Sequence, residues 1–162
     1  MAKTCVVVAD RARARFFLTE DTPGHHPEHA FKLVEIEALA NPQGELTGMD
    51  LFANTRSGTT HAPDGARYEY DDHREAHSEE VERRFAKQLS AAIVRTVRTV
   101  SPVRIILAVE PHMLGLLRRE LPSAVPSVLT FLEMPVELSW RTPEHIRRVL
   151  EKRGAFAQRS AP

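Results

Sequence analysis

The sequence predicts an α/β domain, a mixed five-stranded sheet with helices on its faces, in the order β-β-β-α-β-α-β-α. Three short apolar runs come first and are separated by turn residues, which is typical of an antiparallel meander. Two further apolar runs each follow a segment of helical periodicity, which is typical of right-handed parallel crossovers. Because 162 residues suit one domain, we expect residues 1–162 to form a single domain.

The first three strands are predicted from short runs near the start of the chain. Thr4–Ala9 is apolar and β-branched, and residues 14–19 include two phenylalanines. Only residues 10–13 separate these runs, so a hairpin is the economical connection. Residues 31–37 alternate apolar with charged side chains, apart from Val34, which predicts a third strand with one solvent-facing side.

A long irregular loop is expected over about residues 38–73, because this stretch has no sustained periodicity. Its turn-forming residues are Pro42, Gly44, Gly48, Gly58, Pro63 and Gly65. An irregular stretch of this length is uncommon inside a compact domain and is usually functional or mobile.

The centre of the chain predicts a long helix and a buried strand. Apolar residues recur at three- and four-residue steps over residues 81–100. Ser78 resembles an N-cap, although the helix could begin earlier, near His73, and Pro102 ends it. Residues 103–109 are nearly all apolar, as expected of a central strand covered on both faces.

Two helices and one strand are predicted in the last third of the chain. Pro111 is placed to open a helix that reaches residue 121, and residues 128–134 form the last strand. Thr142 is a good helix cap, and Gly154 can end the helix that follows it. We expect the chain to fray from about residue 155.

Composition excludes several classes of protein. Basic and acidic residues number 22 each, so a chain-wide basic footprint for nucleic acid is absent. The single cysteine, Cys5, excludes an intramolecular disulfide and a cysteine-rich zinc site, and its apolar neighbours indicate a core residue. The apolar run over residues 5–9 is too short for a signal peptide or a membrane helix, so we expect a cytoplasmic protein without membrane partners.

Arginines at the first hairpin are the leading candidate binding residues. Arg11, Arg13 and Arg15 alternate along the chain and, in extended geometry, project on one side. A guanidinium group offers a planar fork of donors that suits phosphate. The alternative is an exposed turn that carries solubilising charge.

A metal site is a weaker candidate. His73 and His77 are four residues apart and share one face of a helix, at a spacing that metal sites use. Further ligands could come from Asp72, His25, His26 or His29. Two such histidines are more often surface residues.

Acidic residues at strand ends raise the alternative of a metal-dependent nuclease. Asp10 ends the first strand, Glu110 the fourth, and Glu133 lies near the end of the fifth. Glu75 or Glu79 could add a carboxylate from the long helix, and clustered carboxylates hold Mg²⁺ in two-metal sites. Acids are, however, common at strand ends for solubility.

Other nucleophiles and aromatic residues carry little functional signal. Ser139 has no adjacent His-Asp context, so a hydrolase triad is unsupported. Trp140 could anchor an interface, but we expect it to pack before the last helix.

Three segments resemble those of a known family. They are residues 6–17, VVVADRARARFF; residues 50–58, DLFANTRSG, followed by His73 and His77; and residues 107–118, LAVEPHMLGLLR. In this order the chain resembles the bacterial host attachment protein family, whose members are described as required for attachment to host cells. The resemblance covers roughly residues 4–153.

That family is in turn similar to the central domain of archaeal and eukaryotic class 1 release factors and of Pelota. The resemblance implies a ribonuclease H-like domain, in agreement with the predicted order of elements. The release-factor domain hydrolyses peptidyl-tRNA with a Gly-Gly-Gln loop. The corresponding loop here has Pro42-Gln43-Gly44 and Arg56-Ser57-Gly58 instead, so the hydrolytic role is not carried over.

The resemblance and the arginines together predict a non-enzymatic cytoplasmic module that binds RNA or the ribosome without a cofactor. Any role in host attachment is then indirect. The expected phosphate-binding residues are Arg11, Arg13, Arg15 and Arg56.

Two alternatives remain open. One is a metal-dependent nuclease or phosphoesterase that uses Asp10 and Glu110. The other is a protein-interaction module that uses the acidic segment 64–82. The sequence leaves the oligomeric state open.

Overall fold

A computed structural model of the chain describes residues 3–24, 30–44, 66–121, 125 and 129–157, and the side chains of the first helix from residue 74. Within this part, five strands form one open mixed sheet in the order β3-β2-β1-β4-β5. The elements are β1 (Thr4–Ala9), β2 (Arg13–Asp21), β3 (Phe31–Ala40), α1 (Ala66–Val100), β4 (Arg104–Val109), α2 (Pro111–Glu120), β5 (Thr130–Pro135) and α3 (Pro143–Lys152). A short helical turn over residues 42–44 follows β3. The predicted mixed α/β sheet is confirmed.

The strand pairing follows the predicted meander and crossovers. β1 pairs antiparallel with β2, which pairs antiparallel with β3. β1 also pairs in parallel with β4, and β4 with β5. The register places Val8 opposite Arg15, and the pairing of β2 with β3 shifts between Phe16 and Phe17, where β3 has one extra residue, Ile36. The carboxyl ends of β1, β4 and β5 therefore lie at one edge of the sheet.

The hydrophobic core has two parts, one on each face of the sheet, because side chains alternate along a strand. On one face β1 contributes Cys5, Val7 and Ala9, which pack with α1 and α2. On the other face it contributes Val6 and Val8, which pack with α3. β1 and β4 are buried on both faces, which explains their nearly continuous apolar sequences.

Several boundaries differ from the prediction. β3 continues to Ala40 because residues 38–40 pair with residues 13–15 of β2. α1 begins at Ala66, so the predicted irregular stretch is shorter at both ends, and residues 45–65 lie outside the described part. Residues 66–73 are mostly polar and lack an apolar stripe, which is why periodicity did not indicate their helical conformation.

The ends of α3 match the sequence signals. The hydroxyl oxygen of Thr142 accepts a hydrogen bond from the amide of His145 at 3.2 Å, and Pro143 occupies the first turn. Gly154 follows with φ of +73°, a conformation that favours glycine at a helix end. Ala155 is buried, and the ring of Phe156 lies 4.7 Å from that of Phe31. None of the helices described is long and apolar enough to cross a bilayer.

Candidate functional site

The candidate site lies at the edge where β1, β4 and β5 end. In open α/β sheets, ligands bind at the carboxyl ends of parallel strands. Three polar segments meet there: the turn after β1, the start of α2 at Glu110, and residues 136–141 after β5.

Asp10 organises this edge through both oxygens of its carboxylate. Oδ1 accepts hydrogen bonds from the amides of Ala12 and Arg13, at 2.7 and 2.8 Å, which closes the turn into β2. Oδ2 accepts from the hydroxyl of Ser139 at 2.6 Å and from the indole N–H of Trp140 at 2.8 Å. One side chain therefore fixes the hairpin turn and attaches the segment after β5 to it.

Ser139 is fully buried between two carboxylates. Its amide donates to Oε1 of Glu137 at 2.9 Å, and its hydroxyl oxygen lies within hydrogen-bonding distance of both Glu137 and Asp10. The serine thus holds the backbone just before Trp140 in one place.

Trp140 is exposed yet held in position. It retains 57% of its accessible surface. Its N–H is bonded to Asp10, and the guanidinium of Arg13 lies 3.3 Å from the centre of its ring, which is a cation–π contact. Trp140 therefore packs just before α3, as expected, but it does so on the protein surface, against Asp10 and Arg13.

The side chain of Arg15 is mostly buried and is hydrogen-bonded within the protein. Its guanidinium makes a two-pronged contact with the carboxylate of Glu35, at 3.0 and 2.9 Å. Nη1 donates to the backbone carbonyls of Ser139 and Arg141, at 3.2 and 2.7 Å. The hydrogen bond from Arg15, reinforced by the charges of Arg15 and Arg13 and opposed by burial, lowers the pKa of Glu35. With its side chain only 15% exposed, Arg15 positions residues 139–141.

Arg11 faces the other side of the sheet. It lies in the turn before β2, and its Nη1 is 3.3 Å from Oε1 of Glu82 in α1. Oε2 of Glu82 is 2.7 Å from Nε2 of His112, and the glutamate side chain is only 6% exposed. The prediction that the three hairpin arginines project on one side is therefore wrong for Arg11, because it precedes the extended strand.

The backbone of the same turn is packed against the end of β3. The side-chain amide of Asn41 donates to the carbonyl of Arg11 at 2.9 Å. A Cβ atom at Gly44 would lie only 2.3 Å from that carbonyl oxygen, so glycine is required there.

The carboxylates of the nuclease alternative have other roles. Glu110 caps α2, since its oxygens accept from the amides of His112 and Met113 at 3.1 and 3.0 Å. Glu133 bonds to Arg118 of α2, whereas Glu75 and Glu79 are exposed on α1. Across the ranges that the structure describes, no three His, Cys, Asp or Glu side chains form a group that could hold a metal.

Several predicted residues lie outside what is described. They are Arg56, His25, His26 and His29, together with the side chains of Asp72 and His73. His77 is exposed on α1. Burial raises the pKa of the Cys5 thiol to about 12, in agreement with the expected core role.

Sequence reasoning did not single out Glu82, His112 or Glu137. Glu82 lies on the buried side of α1, between Val81 and Phe85, which is an unusual place for an acid. Glu137 and Ser139 directly follow the last strand, and this position could have indicated a role at the sheet edge.

The comparison with family models identifies a family for this chain. The model described as "Protein required for attachment to host cells" matches residues 5–150. The matched range contains Asp10, Glu82 and Trp140 and so covers the whole candidate site. The comparison with curated proteins gives no match.

Proposed function

The chain belongs to the family of proteins required for attachment to host cells, and from this premise we propose that it is a non-enzymatic module that binds RNA. We propose that it binds single-stranded RNA segments, including those that are exposed on a ribosome. Its part in attachment is then indirect and is exerted inside the cell.

The observation that carries this proposal is the fixed, exposed ring of Trp140. An indole that is already held by Asp10 and Arg13 loses little conformational freedom when a base stacks on it. Stacking of a base on an aromatic side chain contributes about 1–3 kcal/mol and tolerates any base. RNA-binding proteins recognise unpaired bases in this way.

Charged groups beside the ring suit the phosphates of the same strand. Arg13 stacks on the indole and Arg141 follows it in the chain, while Arg11 lies half exposed at the other side of the turn. Arg15 does not take part directly, because its donors are bonded to Glu35 and to the backbone. We therefore assign the contacts to Arg13, Trp140 and Arg141, and a supporting role to Arg15, because Arg11 lies on the other side of the sheet beside Glu82.

The translation apparatus is the proposed source of the RNA. We direct the proposal there because the sequence resemblance predicts a likeness of the family to the central domain of release factors. The nuclease alternative is less well supported, because Asp10 and Glu110 are engaged in hydrogen bonds that close a turn and cap a helix.

Intrinsic fluorescence tests the proposal directly, because Trp140 is the single tryptophan of the chain. We expect titration with a short unstructured RNA to quench its emission. Trp140→Ala should weaken the binding of fluorescently labelled RNA by about tenfold, whereas Trp140→Phe should retain most of it. Arg13→Ala should weaken binding and reduce its dependence on salt.

Arg153→Ala is the matched control, because Arg153 is exposed at the end of α3 that is farther from Trp140. RNA that leaves the fluorescence unchanged, or that binds Trp140→Ala as tightly as the native protein, would refute the proposed site. Salt-sensitive co-sedimentation with ribosomes, reduced by Trp140→Ala, is expected for the translation apparatus. If the protein binds RNA but does not co-sediment with ribosomes, the ribosome is excluded as the target.

A further inference from the structure

Helix α1 is divided by charge at about its midpoint. Residues 66–82 include seven Asp or Glu and two Arg, whereas residues 83–100 include five Lys or Arg and no acid. The helix dipole favours acids in the first turn and bases in the last, but its effect falls off within one turn. The division extends through the whole helix and needs another explanation.

The acidic half of α1 extends past the core. Val81 and Glu82 are buried, whereas residues 74–77 are all exposed. Four consecutive residues cover every side of a helix, so this part of α1 is not packed on the described sheet. At about 1.5 Å per residue, the stretch from residue 66 to residue 80 is roughly 20 Å long.

The basic half of α1 borders a shallow hollow of about 520 Å³ on the outside of the molecule. Its lining includes Lys87, Ala91, Val94 and Arg98, with Glu120 of α2 also contributing. In the part of the chain that the structure describes, Lys87 and Arg98 have no ion-pair partner, and neither have Glu75 and Glu79.

The hollow and the acidic half share one face of the helix. Glu79, Arg83, Lys87 and Val94 follow one another at steps of four or seven residues, which places them along one stripe. A second helix that runs antiparallel and crosses at residue 83 would bring its Glu79 opposite Lys87. It would also place the two Arg83 side chains at the crossing, where each has Glu80 of its own helix 3.7 Å away. The acidic half of each helix would then lie along the basic half of the other.

We propose that two copies of this chain associate through this stripe of α1, antiparallel, with the acidic half of each copy in the hollow of the other. The interface is symmetric, so the same complementary contact forms twice. Ala91 and Val94 provide the apolar floor, and the opposite charges fix the direction. α1 covers the face of the sheet opposite α3, so this interface is separate from the Asp10–Trp140 edge.

Charge reversal tests the proposal by sedimentation velocity. The native protein should form a dimer that weakens as salt rises. Two double variants reverse the charge of one half of the helix each, namely Glu75→Lys/Glu79→Lys and Lys87→Glu/Arg98→Glu. Each should raise the dissociation constant of the dimer by about tenfold or more, because like charges then face each other at both contacts. An equimolar mixture of the two variants should restore a dimer, since both contacts regain opposite charges.

Lys152→Glu/Arg153→Glu is the matched control, because it changes the net charge equally at the end of α3. It should dimerise as the native protein does. Lys and Glu are both good helix formers, so circular dichroism should show unchanged helix content in every variant. A native protein that is monomeric at all concentrations, dimers that persist in the reversal variants, or a mixture that stays monomeric would each overturn the proposal. None of these outcomes depends on RNA or on Trp140.

Discussion

The turn between β1 and β2 is held from both sides of the sheet, by two clusters of different chemistry. The Asp10 cluster consists of Asp10, Ser139 and Trp140 and lies on the side of α3. The Glu82 cluster consists of Arg11, Glu82 and His112 and lies on the side of α1 and α2. The first depends on neutral N–H and O–H donors, whereas the second pairs a buried acid with basic side chains.

The difference shows how one carboxylate can be more costly to remove than another. Three of the four donors to Asp10 are partly buried groups, the amides of Ala12 and Arg13 and the hydroxyl of Ser139, which water cannot easily reach when the carboxylate is removed. The partners of Glu82 are about half exposed, so water can solvate them when the carboxylate is absent. We therefore expect the Asp10 cluster to contribute more to stability.

Asp10→Ala should have the largest effect of the changes considered. It removes the acceptor of four hydrogen bonds, and we expect the free energy of unfolding to fall by about 2–4 kcal/mol. Urea unfolding measures this loss, and the emission of Trp140 should change in the folded variant. Asp21→Ala, at the exposed end of β2, is the control, with an expected effect within about 0.5 kcal/mol. A loss under about 1 kcal/mol for Asp10→Ala would contradict this view of the cluster.

Glu82→Ala should have an intermediate effect of about 1–2 kcal/mol. Arg11 loses an ion-pair partner and His112 a hydrogen-bonding partner, but both can turn to solvent, and alanine favours the helix slightly more than glutamate. Thermal unfolding at low and high salt measures the effect, which should shrink as salt rises. Glu79→Ala, one turn earlier and exposed, serves as the matched change. A loss equal to that of Asp10→Ala would remove the distinction between the clusters.

Local sequence patterns predicted the elements because their causes are local. The periodicity of residues 81–100, the proline and threonine before α3, and Gly154 after it all act within a few residues. The two-sided burial of β4 also follows from its composition. The observed boundaries differ from the predicted ones where strand pairing extends β3 to Ala40 and where polar residues extend α1 back to Ala66.

The candidate site was less predictable because its contacts join distant parts of the chain. Ser139 and Trp140, the partners of Asp10 at the sheet edge, lie 129 and 130 residues further along the sequence, so no local pattern could predict these contacts. Alternation correctly indicated that Arg13 and Arg15 share a side, but their neighbours decide their roles. Arg13 supports an exposed ring, whereas Arg15 is bound to Glu35 and to two carbonyls.

Among the changes considered, the smallest effect is expected at the Arg15–Glu35 pair, which lies on the same side of the sheet as the Asp10 cluster. The hydrogen bond from Arg15 lowers the pKa of Glu35 below its ordinary value of 4.5 in the folded protein. The carboxylate therefore stabilises the fold above that value, and the contribution is lost as pH falls through the folded pKa. Glu35→Gln should lower the free energy of unfolding by about 0.5–1 kcal/mol at neutral pH, because the pair is partly exposed.

The pH dependence of this change tests whether the charge of Glu35 is responsible, because glutamine keeps the volume of the side chain and removes only the charge. If the ionic contact is responsible, the difference between native protein and Glu35→Gln should shrink toward zero in acid, measured by urea unfolding at a series of pH values. Glu20→Gln, at the more exposed pair with Lys32, is the matched control, with an effect within about 0.5 kcal/mol. A difference that persists unchanged in acid would mean that the charge of Glu35 is not responsible for the effect. Arg15 would then hold residues 139–141 through its two carbonyl contacts alone, and the position of Trp140 would not depend on the charge of Glu35.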